Sequence, residues 1–399
     1  MSEPAAPEAS RQATVSQAGE QRYAYIESLR ALGSIMVVFA HVGAVTFALK
    51  PGIPGAGSPG DLFARGVYGA GITAVYLFFA LSGFILYLPF ARRDFGGGSR
   101  VDIRKYAVNR ALRILPLYYV AVVVLLIVEF DVPKLRVWAR FLTFTENFST
   151  HTVFQYIGPA WSLVVELHFY LLLPLLAWAL ARLANGSRKR AILILGGLAL
   201  ASFAVRLTTV YLADVPSLLW RASLPANGLF ILAGMITAIV YLALEDNRPR
   251  WLRGPLLNSD LWLLLWIPVW AIVAFGAYRY DALVCLSSFA IIGAAAFPHL
   301  RRGPVTRVLW WRPLAHLGVA SYSLYIWHLP ILIFLIKHGV DQSFVPLAVV
   351  GLPLAIGVAL LSYRVVEEPF LRMRRRWSRA APPQAQEDGA AAATIAGPP

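Results

Sequence analysis

Cysteine and charge are both scarce in this sequence. Its single cysteine, Cys285, excludes an internal disulfide, and no CxxC pair or Cys/His cluster offers a metal site. Charged residues make up 14% of the 399 residues, whereas a soluble domain carries roughly 25%. Because 58% of the residues are hydrophobic, one soluble core cannot bury them, and lipid has to serve as part of the solvent. We therefore expect a protein of the lipid bilayer with no metal and no bound cofactor.

Apolar runs divide the chain into about ten segments, each near the ~20 residues that a membrane helix needs. We predict an all-α integral membrane protein, a bundle of about ten transmembrane helices. The two polar ends, residues 1–22 and 377–399, are expected to be disordered cytoplasmic tails of one membrane domain, residues 23–376. The predicted spans cover residues 28–49, 67–90, 112–130, 160–181, 191–211, 222–244, 259–278, 282–298, 314–337 and 345–366.

The basic residues predict how these segments are oriented. Lys and Arg number 36 against 21 acidic residues, which gives a net charge of +15. If the N-terminus lies in the cytoplasm, most Lys and Arg fall in cytoplasmic loops, such as residues 100–113 and 372–379. The positive-inside rule thus accounts for the charge, and nucleic-acid binding has no further support. We expect a multi-pass plasma-membrane protein with both termini in the cytoplasm.

Ionisable side chains inside membrane helices are costly, so each one is a candidate functional group. The first segment carries Arg30 near its cytoplasmic end and His41 deeper. Eleven helical residues rotate by three turns plus ~20°, so both side chains share one face, ~16 Å apart along the axis. That separation is comparable to the reach of a pantetheine arm. The alternatives are that Arg30 snorkels to the interface and that His41 bonds a neighbouring helix.

Glu166, in the fourth segment, is the one carboxylate well inside a predicted span. Its expected depth below the outer surface, ~10 Å, is close to the ~13 Å expected for His41. A carboxylate that orients an imidazole is the usual arrangement of a general base. We predict His41 as the base and Glu166 as its orienting group. The alternative is a structural ion pair of Glu166 with Arg206 or Arg221.

The ninth segment carries a polar stripe. Ser321, Tyr325 and His328 are spaced four and three residues apart, so they share one helix face. Such a stripe either lines a cavity or joins two helices, and Tyr325 and His328 are candidate oxyanion donors. Trp161 and Ser162 lie at the outer end of the fourth segment and are further candidates for the acceptor side of a cavity.

Two smaller patterns complete the candidates. Arg110 and Arg113, at i and i+3, point the same way and can clamp a phosphate-rich ligand; the alternative is plain anchoring by positive charge. Small residues around Ser82 and Gly83 predict close packing between helices.

At these residues the sequence resembles the acyltransferase-3 family, the bacterial membrane O-acyltransferases of surface sugars and some natural products. The resemblance covers residues 23–376 and rests on five blocks in order, each weak alone and specific together. It departs from the family at Glu27 and Ala31, where members often carry Asp and Gly. The blocks are Arg30-x10-His41, Phe78-Phe79-Ala80-Leu81-Ser82-Gly83-Phe84, Arg110-x-x-Arg113, Trp161-Ser162-Leu163-x-x-Glu166-x-x-Phe169-Tyr170 and Ser321-Tyr322-Ser323-Leu324-Tyr325-x-Trp327-His328-x-Pro330.

The resemblance implies ten helices in a bacterial inner membrane, acyl-CoA as donor and an acceptor at or beyond the outer face. Arg30, His41, Arg110 and Arg113 correspond to residues regarded as essential in the family. No further domain follows the last segment in this sequence, so the resemblance implies the stand-alone form.

These observations combine into one hypothesis. Acyl-CoA, with acetyl as the expected acyl group, docks from the cytoplasm with its phosphates on Arg110 and Arg113. Its arm passes Arg30, and His41 takes the proton of a hydroxyl on a surface carbohydrate or related glycoconjugate. A covalent acyl-His41 intermediate is an open variant. Rival functions are a transporter or flippase with the buried His and Glu as a proton relay, and a non-catalytic scaffold that binds lipid or sugar. The oligomeric state is not readable from the sequence.

Overall fold

The computed structural model describes residues 8–48, 59–128, 135–155, 157–212, 217–250, 252–275 and 280–379. In this part of the chain the architecture is helical throughout, with one isolated bridge between Asn258 and Arg301. The α-helices are α1 Glu8–Ala48, α2 Pro59–Phe95, α3 Ile103–Val128, α4 Leu135–Leu142, α5 Ala160–Ala184, α6 Arg188–Arg206, α7 Leu218–Arg221, α8 Leu224–Asp246, α9 Ser259–Leu264, α10 Trp266–Phe275, α11 Asp281–Ala296, α12 Pro304–Val308, α13 Arg312–Val319, α14 Ser321–Lys337, α15 Phe344–Ser362 and α16 Glu368–Arg379.

Seven helices in the described ranges are long and apolar enough to cross a membrane. The pair α13 and α14 would make an eighth crossing, bent by 72° at the break between them. The expected count of about ten is not confirmed. Over the predicted span 259–278 the structure has α9 and α10, which end at Phe275, and residues 276–279 lie outside the described part of the chain. Over the predicted span 282–298 it has α11, whose 16 residues are fewer than the ~20 that a crossing needs.

The predicted tails fall only partly within the described residues. Residues 8–22, assigned above to a disordered tail, continue α1 upstream of the membrane segment, and residues 377–379 end α16. Residues 1–7 and 380–399 lie outside the described part of the chain.

Large apolar side chains point outward from several of the long helices. Leu171 on α5, Leu193 on α6 and Val349 on α15 are each about two-thirds exposed or more. Contiguous exposed apolar surface is rare on soluble monomers because it is unfavourable in water. Lipid hydrocarbon around the bundle would cover these side chains. The outward faces of α5, α6 and α15 are therefore lipid-facing surfaces.

Helix α2 lies at the centre of the bundle, between α1 and α8. A Cβ added at Gly83 of α2 would lie 2.0 Å from the backbone oxygen of Ile231, and one added at Gly234 of α8 would lie 1.9 Å from that of Ala80. The two helices thus touch backbone to backbone through reciprocal glycines. This confirms the close packing predicted around Gly83.

Replacing Gly234 with alanine is expected to force α2 and α8 apart. Overpacking of this kind destabilises by about 1–3 kcal/mol, and backbone atoms cannot yield as a side chain would. Unfolding of the purified protein in mixed detergent micelles measures the loss. The matched control is Gly357→Ala on α15, where an added Cβ meets nothing within 4 Å. That variant is expected to be as stable as the wild type or more so, and equal losses in both variants would contradict the prediction.

The break between α13 and α14 places the polar stripe of α14 against α1. A Cβ at Gly318, near the end of α13, would lie 1.9 Å from the backbone oxygen of Glu27. This contact holds the end of α13 against the N-terminal half of the predicted first span. Ser321 and Tyr322 follow directly, so they lie beside the turn of α1 that carries Arg30.

Candidate active site

A cavity of about 60 Å³ lies between α1, α2, α5 and α14. Five of the predicted site residues line it, and apolar and aromatic side chains close its remaining wall. A space this small holds only a few water molecules. Its lining is Arg30, Val75, Phe78, Phe79, Ser162, Leu163, Glu166, Ser321, Tyr322 and Tyr325.

Glu166 faces this cavity and is held there by two hydroxyl groups. Ser82 of α2 donates to its Oε1 at 3.1 Å, and the Tyr170 hydroxyl, one turn along α5, donates to Oε2. The positive charges of Arg30 and Arg110 act on the same carboxylate. Glu166 therefore belongs to a polar cluster on the Arg30 side of the site.

The structure changes two expectations about Glu166. The alternative ion pair with Arg206 is absent, because the Arg206 guanidinium pairs with Asp281 at 2.8 Å. The predicted bond from Glu166 to His41 is also absent among the described contacts, because the carboxylate is taken up by Ser82 and Tyr170 and the imidazole has another partner.

That partner is His328. Its Nε2 lies 3.2 Å from Nδ1 of His41, and the two rings meet nearly edge-on with their centroids 4.8 Å apart. His41 Nδ1 is also 2.9 Å from the backbone oxygen of Val37, and His328 Nδ1 is 3.1 Å from that of Leu324. Among the described residues no group of three His, Cys, Asp or Glu side chains could hold a metal ion, so the pair has no third ligand beside it.

Tyr325 connects the cavity to this histidine pair. Its ring lies one helical turn from His328, with the centroids 5.9 Å apart. Its hydroxyl is 2.6 Å from Ser162 Oγ and donates to the backbone oxygen of Pro159 at 3.2 Å. This bridge ties α14 to the start of α5. The stripe predicted on α14 therefore does both things considered for it: it lines a cavity and joins two helices.

Trp161 lies beside this bridge among aromatic rings. Its ring centroid is 6.1 Å from that of Phe79 and 5.6 Å from that of Phe154. Asn147 donates to its backbone oxygen at 2.8 Å. Trp161 is thus a packed residue next to the cavity and does not line it.

The three predicted arginines converge on one side of the cavity, with different partners. Arg113 forms an ion pair with Glu367 at 3.1 Å and donates to the backbone oxygen of Val319 at 3.1 Å. Arg30 lies 3.5 Å from Glu27, one turn earlier on α1. The charges of Arg30 and Arg113 both act on Arg110.

Arg110 differs from its neighbours because its buried Nε has no hydrogen-bond partner among the described residues. An unpaired buried donor costs free energy, so this guanidinium is the one best placed to receive an anion. Arg113, by contrast, already has a carboxylate.

Sequence reasoning missed Glu367. This residue is buried, and Ser323 of α14 donates to its Oε1 at 2.6 Å. The sequence signal for it is its position: Glu367 directly follows the last predicted span and precedes the basic residues 372–379. The sequence marks Ser82 as a packing residue and Tyr170 as part of a family motif, whereas in the structure both hydroxyls bond Glu166.

A second buried carboxylate, Glu146, lies outside the membrane segments near the start of α5. Tyr118 donates to its Oε1 at 2.8 Å. Burial, partly opposed by that hydrogen bond, raises the pKa of Glu146 to about 7. Glu146 directly precedes Asn147, which donates to the backbone oxygen of Trp161.

Residues 23–364 match the family model of an acyltransferase domain, acyltransferase-3. A peptidoglycan O-acetyltransferase of Listeria monocytogenes is 24% identical over 369 residues, which cover 86% of this chain and 55% of that protein. A Bacillus subtilis protein provisionally named a peptidoglycan O-acetyltransferase is 25% identical over 334 residues (75% and 50%). A provisionally named O-acetyltransferase of Staphylococcus aureus is 23% identical over 332 residues (75% and 52%). The chain spans about half the length of these curated relatives. No solved structure matches it.

Proposed function

The chain belongs to the acyltransferase-3 family, and from that premise we propose that it is a membrane O-acyltransferase with acyl-CoA as donor. The acyl group we propose is acetyl, and the acceptor is a hydroxyl of a surface carbohydrate or related glycoconjugate. One observation carries the proposal: a polar cavity lined by Arg30 is bounded by Tyr325, whose ring contacts the histidine that pairs with His41. The names of the relatives support O-acetylation, and nothing in the family match supports a transporter or flippase.

The donor is held by the arginine side of the site. Arg110, whose buried Nε lacks a partner, and Arg30, whose contact with Glu27 is long at 3.5 Å, bind the phosphates and the upper part of the arm. Arg113 contributes positive charge nearby while its own guanidinium is held by Glu367. Of the two arginines predicted to clamp the phosphates, Arg110 makes the direct contact.

The chemistry takes place at His41. One imidazole nitrogen takes the proton of the acceptor hydroxyl, while the hydroxyl oxygen attacks the thioester carbon of acetyl-CoA. The C–O bond forms, the C–S bond breaks, and the imidazolium returns the proton to the departing thiolate. The products are the acetyl ester and CoA, and no redox partner is needed.

The site also fits a particular placement in the cell. We propose that the protein lies in a bacterial inner membrane with both termini in the cytoplasm. The donor then enters from the cytoplasm, the acceptor waits on the other face, and His41 lies between them. Glu166, held by Ser82 and Tyr170, sets the charge of the donor side and does not orient the base.

The donor can be tested with the purified protein in nanodiscs. We expect CoA release from acetyl-CoA, and transfer of a radiolabelled acetyl group to a cell-envelope carbohydrate extract. Empty nanodiscs and acetyl phosphate as an alternative donor are the controls. Absence of thioester cleavage with every acyl-CoA tried, in the presence of extract, would overturn the proposed function.

A further inference from the structure

We infer that His328 is a positioning residue which holds His41 in the tautomer with its proton on Nδ1, so that Nε2 of His41 is the base. This inference rests on the proposed function and names the orienting group of that site. In this arrangement the neutral imidazole of His328, in place of the carboxylate of Glu166, orients His41. The alternative roles considered for His328, an acceptor-side contact and an oxyanion donor, require it to touch the substrate.

The tautomers follow from the partners of each nitrogen. A backbone oxygen only accepts hydrogen bonds, so His328 Nδ1, at 3.1 Å from the oxygen of Leu324, carries a proton. In the neutral ring its Nε2 is then a lone-pair acceptor. This acceptor lies 3.2 Å from His41 Nδ1, which must be the donor.

The second contact of His41 gives the same answer. Its Nδ1 is 2.9 Å from the backbone oxygen of Val37, and this oxygen also requires a proton on Nδ1. Both partners of the nitrogen are acceptors, so one N–H is shared between them. Nε2 of His41 is left with a free lone pair, which is the form that a general base needs.

Burial separates the roles of the two rings. His328 has no solvent-exposed surface, whereas His41 is partly exposed. A substrate therefore meets His41 first, and His328 acts through it. Once His41 has taken a second proton, the bond from its Nδ1 to His328 becomes charge-assisted and stronger. A neutral acceptor supplies this stabilisation without placing a permanent charge deep in the membrane segment, where charges are costly.

The surroundings of the pair contain no competing charge in the described part of the chain. Tyr325 is the titratable side chain in ring contact with His328, and its hydroxyl is engaged by Ser162 and Pro159. Among the described contacts, neither ring has a carboxylate or guanidinium as hydrogen-bond partner. The orientation of His41 thus depends on His328 and one carbonyl oxygen.

Turnover of His328 variants tests the inference. His328→Ala is expected to lower kcat by about 100-fold with an unchanged KM for acetyl-CoA, since donor binding is remote from the ring. His328→Gln keeps an oxygen acceptor near the position of Nε2 and is expected to restore most of that loss. The matched control is Trp327→Phe, which removes a 2.9 Å hydrogen bond from the same helix to Ser362 and should leave kcat at the wild-type value.

A second readout needs no turnover. Ring ¹⁵N shifts of His41, assigned by difference from His41→Ala in labelled protein, report which nitrogen carries the proton. We expect Nδ1–H in the wild type and in His328→Gln, and a shift toward Nε2–H in His328→Ala. Wild-type kcat in His328→Ala, no recovery in His328→Gln, or Nε2–H in the wild type would each overturn the inference. Absence of thioester cleavage by the wild-type protein would overturn the proposed function instead. The ring shifts would still report the tautomer of His41, so the two failures can be told apart.

Discussion

Replacing His41 with alanine is expected to lower kcat for acetyl transfer by about 100-fold or more, the range in which a positioned general base contributes. The substitution removes the imidazole that lies 3.2 Å from His328 and leaves the arginine side of the cavity intact. KM for acetyl-CoA should therefore change little. Steady-state CoA release in nanodiscs, with the carbohydrate extract as acceptor, measures both constants.

The same substitution at another histidine supplies the control. His338 follows the last residue of α14, where its exposed ring contacts the backbone oxygen of Phe334. His338→Ala should turn over at the wild-type rate. Wild-type turnover by His41→Ala would contradict the assignment of the base. An acyl group found on His41 by mass spectrometry of acid-quenched protein would show that the ring acts as nucleophile, which alters the mechanism and leaves its location unchanged.

Replacing Arg113 with alanine is expected to destabilise the fold by about 3–5 kcal/mol, as when one partner of a buried ion pair is removed. The Glu367 carboxylate is buried, and without Arg113 it would lose its ion pair and keep the Ser323 hydrogen bond of 2.6 Å. Arg110→Ala, one turn earlier on α3, should cause a much smaller loss, because its Nε has no partner to abandon. Its main effect should be a KM for acetyl-CoA raised by about tenfold or more, the value of a charge-assisted hydrogen bond.

Unfolding in mixed detergent micelles and the acetyl-CoA saturation curve separate these two arginines. Combining Arg113→Ala with Glu367→Gln should recover much of the lost stability, because the stranded charge is removed with its partner. Equal stability of Arg113→Ala and the wild type would show that the ion pair contributes nothing. Equal KM in Arg110→Ala and the wild type would remove Arg110 from the donor site.

Helix geometry and composition were enough to predict much of the site. The scarcity of charge predicted a membrane protein, and the cost of burying charge selected Arg30, His41 and Glu166 as candidates. The spacing within α14 correctly placed Tyr325 beside His328. Each of these predictions depends on the overall composition or on the residues of a single helix, and both can be read directly from the sequence.

The pairing between helices was beyond that reasoning. Equal depth suggested that Glu166 meets His41, but depth fixes only one of the three coordinates of a side chain. Helix α14 instead brings His328 to His41, 287 positions apart in sequence, and Ser82 with Tyr170 takes up Glu166. The same holds for Arg113, which the sequence predicts to bind a ligand and which in the structure pairs with Glu367. The sequence does not show that Glu367 faces Arg113.

The predicted number of spans is not confirmed, for a related reason. Apolar composition identified the segments 259–278 and 282–298, but the structure gives shorter helices there. The break at Ala320, between α13 and α14, interrupts a run that composition alone presents as continuous. An apolar run shows that a segment is buried, either in lipid or in protein. The length and direction of its helix distinguish a membrane span from a helix buried in protein.

The bridge between Tyr325 and Ser162 has a consequence for the energy supply of the cell. An enzyme that draws on both faces of a membrane risks leaving an aqueous path through it, and every ion that crosses dissipates about 2.3 kcal/mol per 100 mV of membrane potential. The 2.6 Å contact between the two hydroxyls, with the Phe78 ring against Tyr325, closes the space between the arginine-lined cavity and the histidine pair. Under the proposed function this contact has to part when the thioester reaches His41, and between turnovers it keeps the two spaces separate.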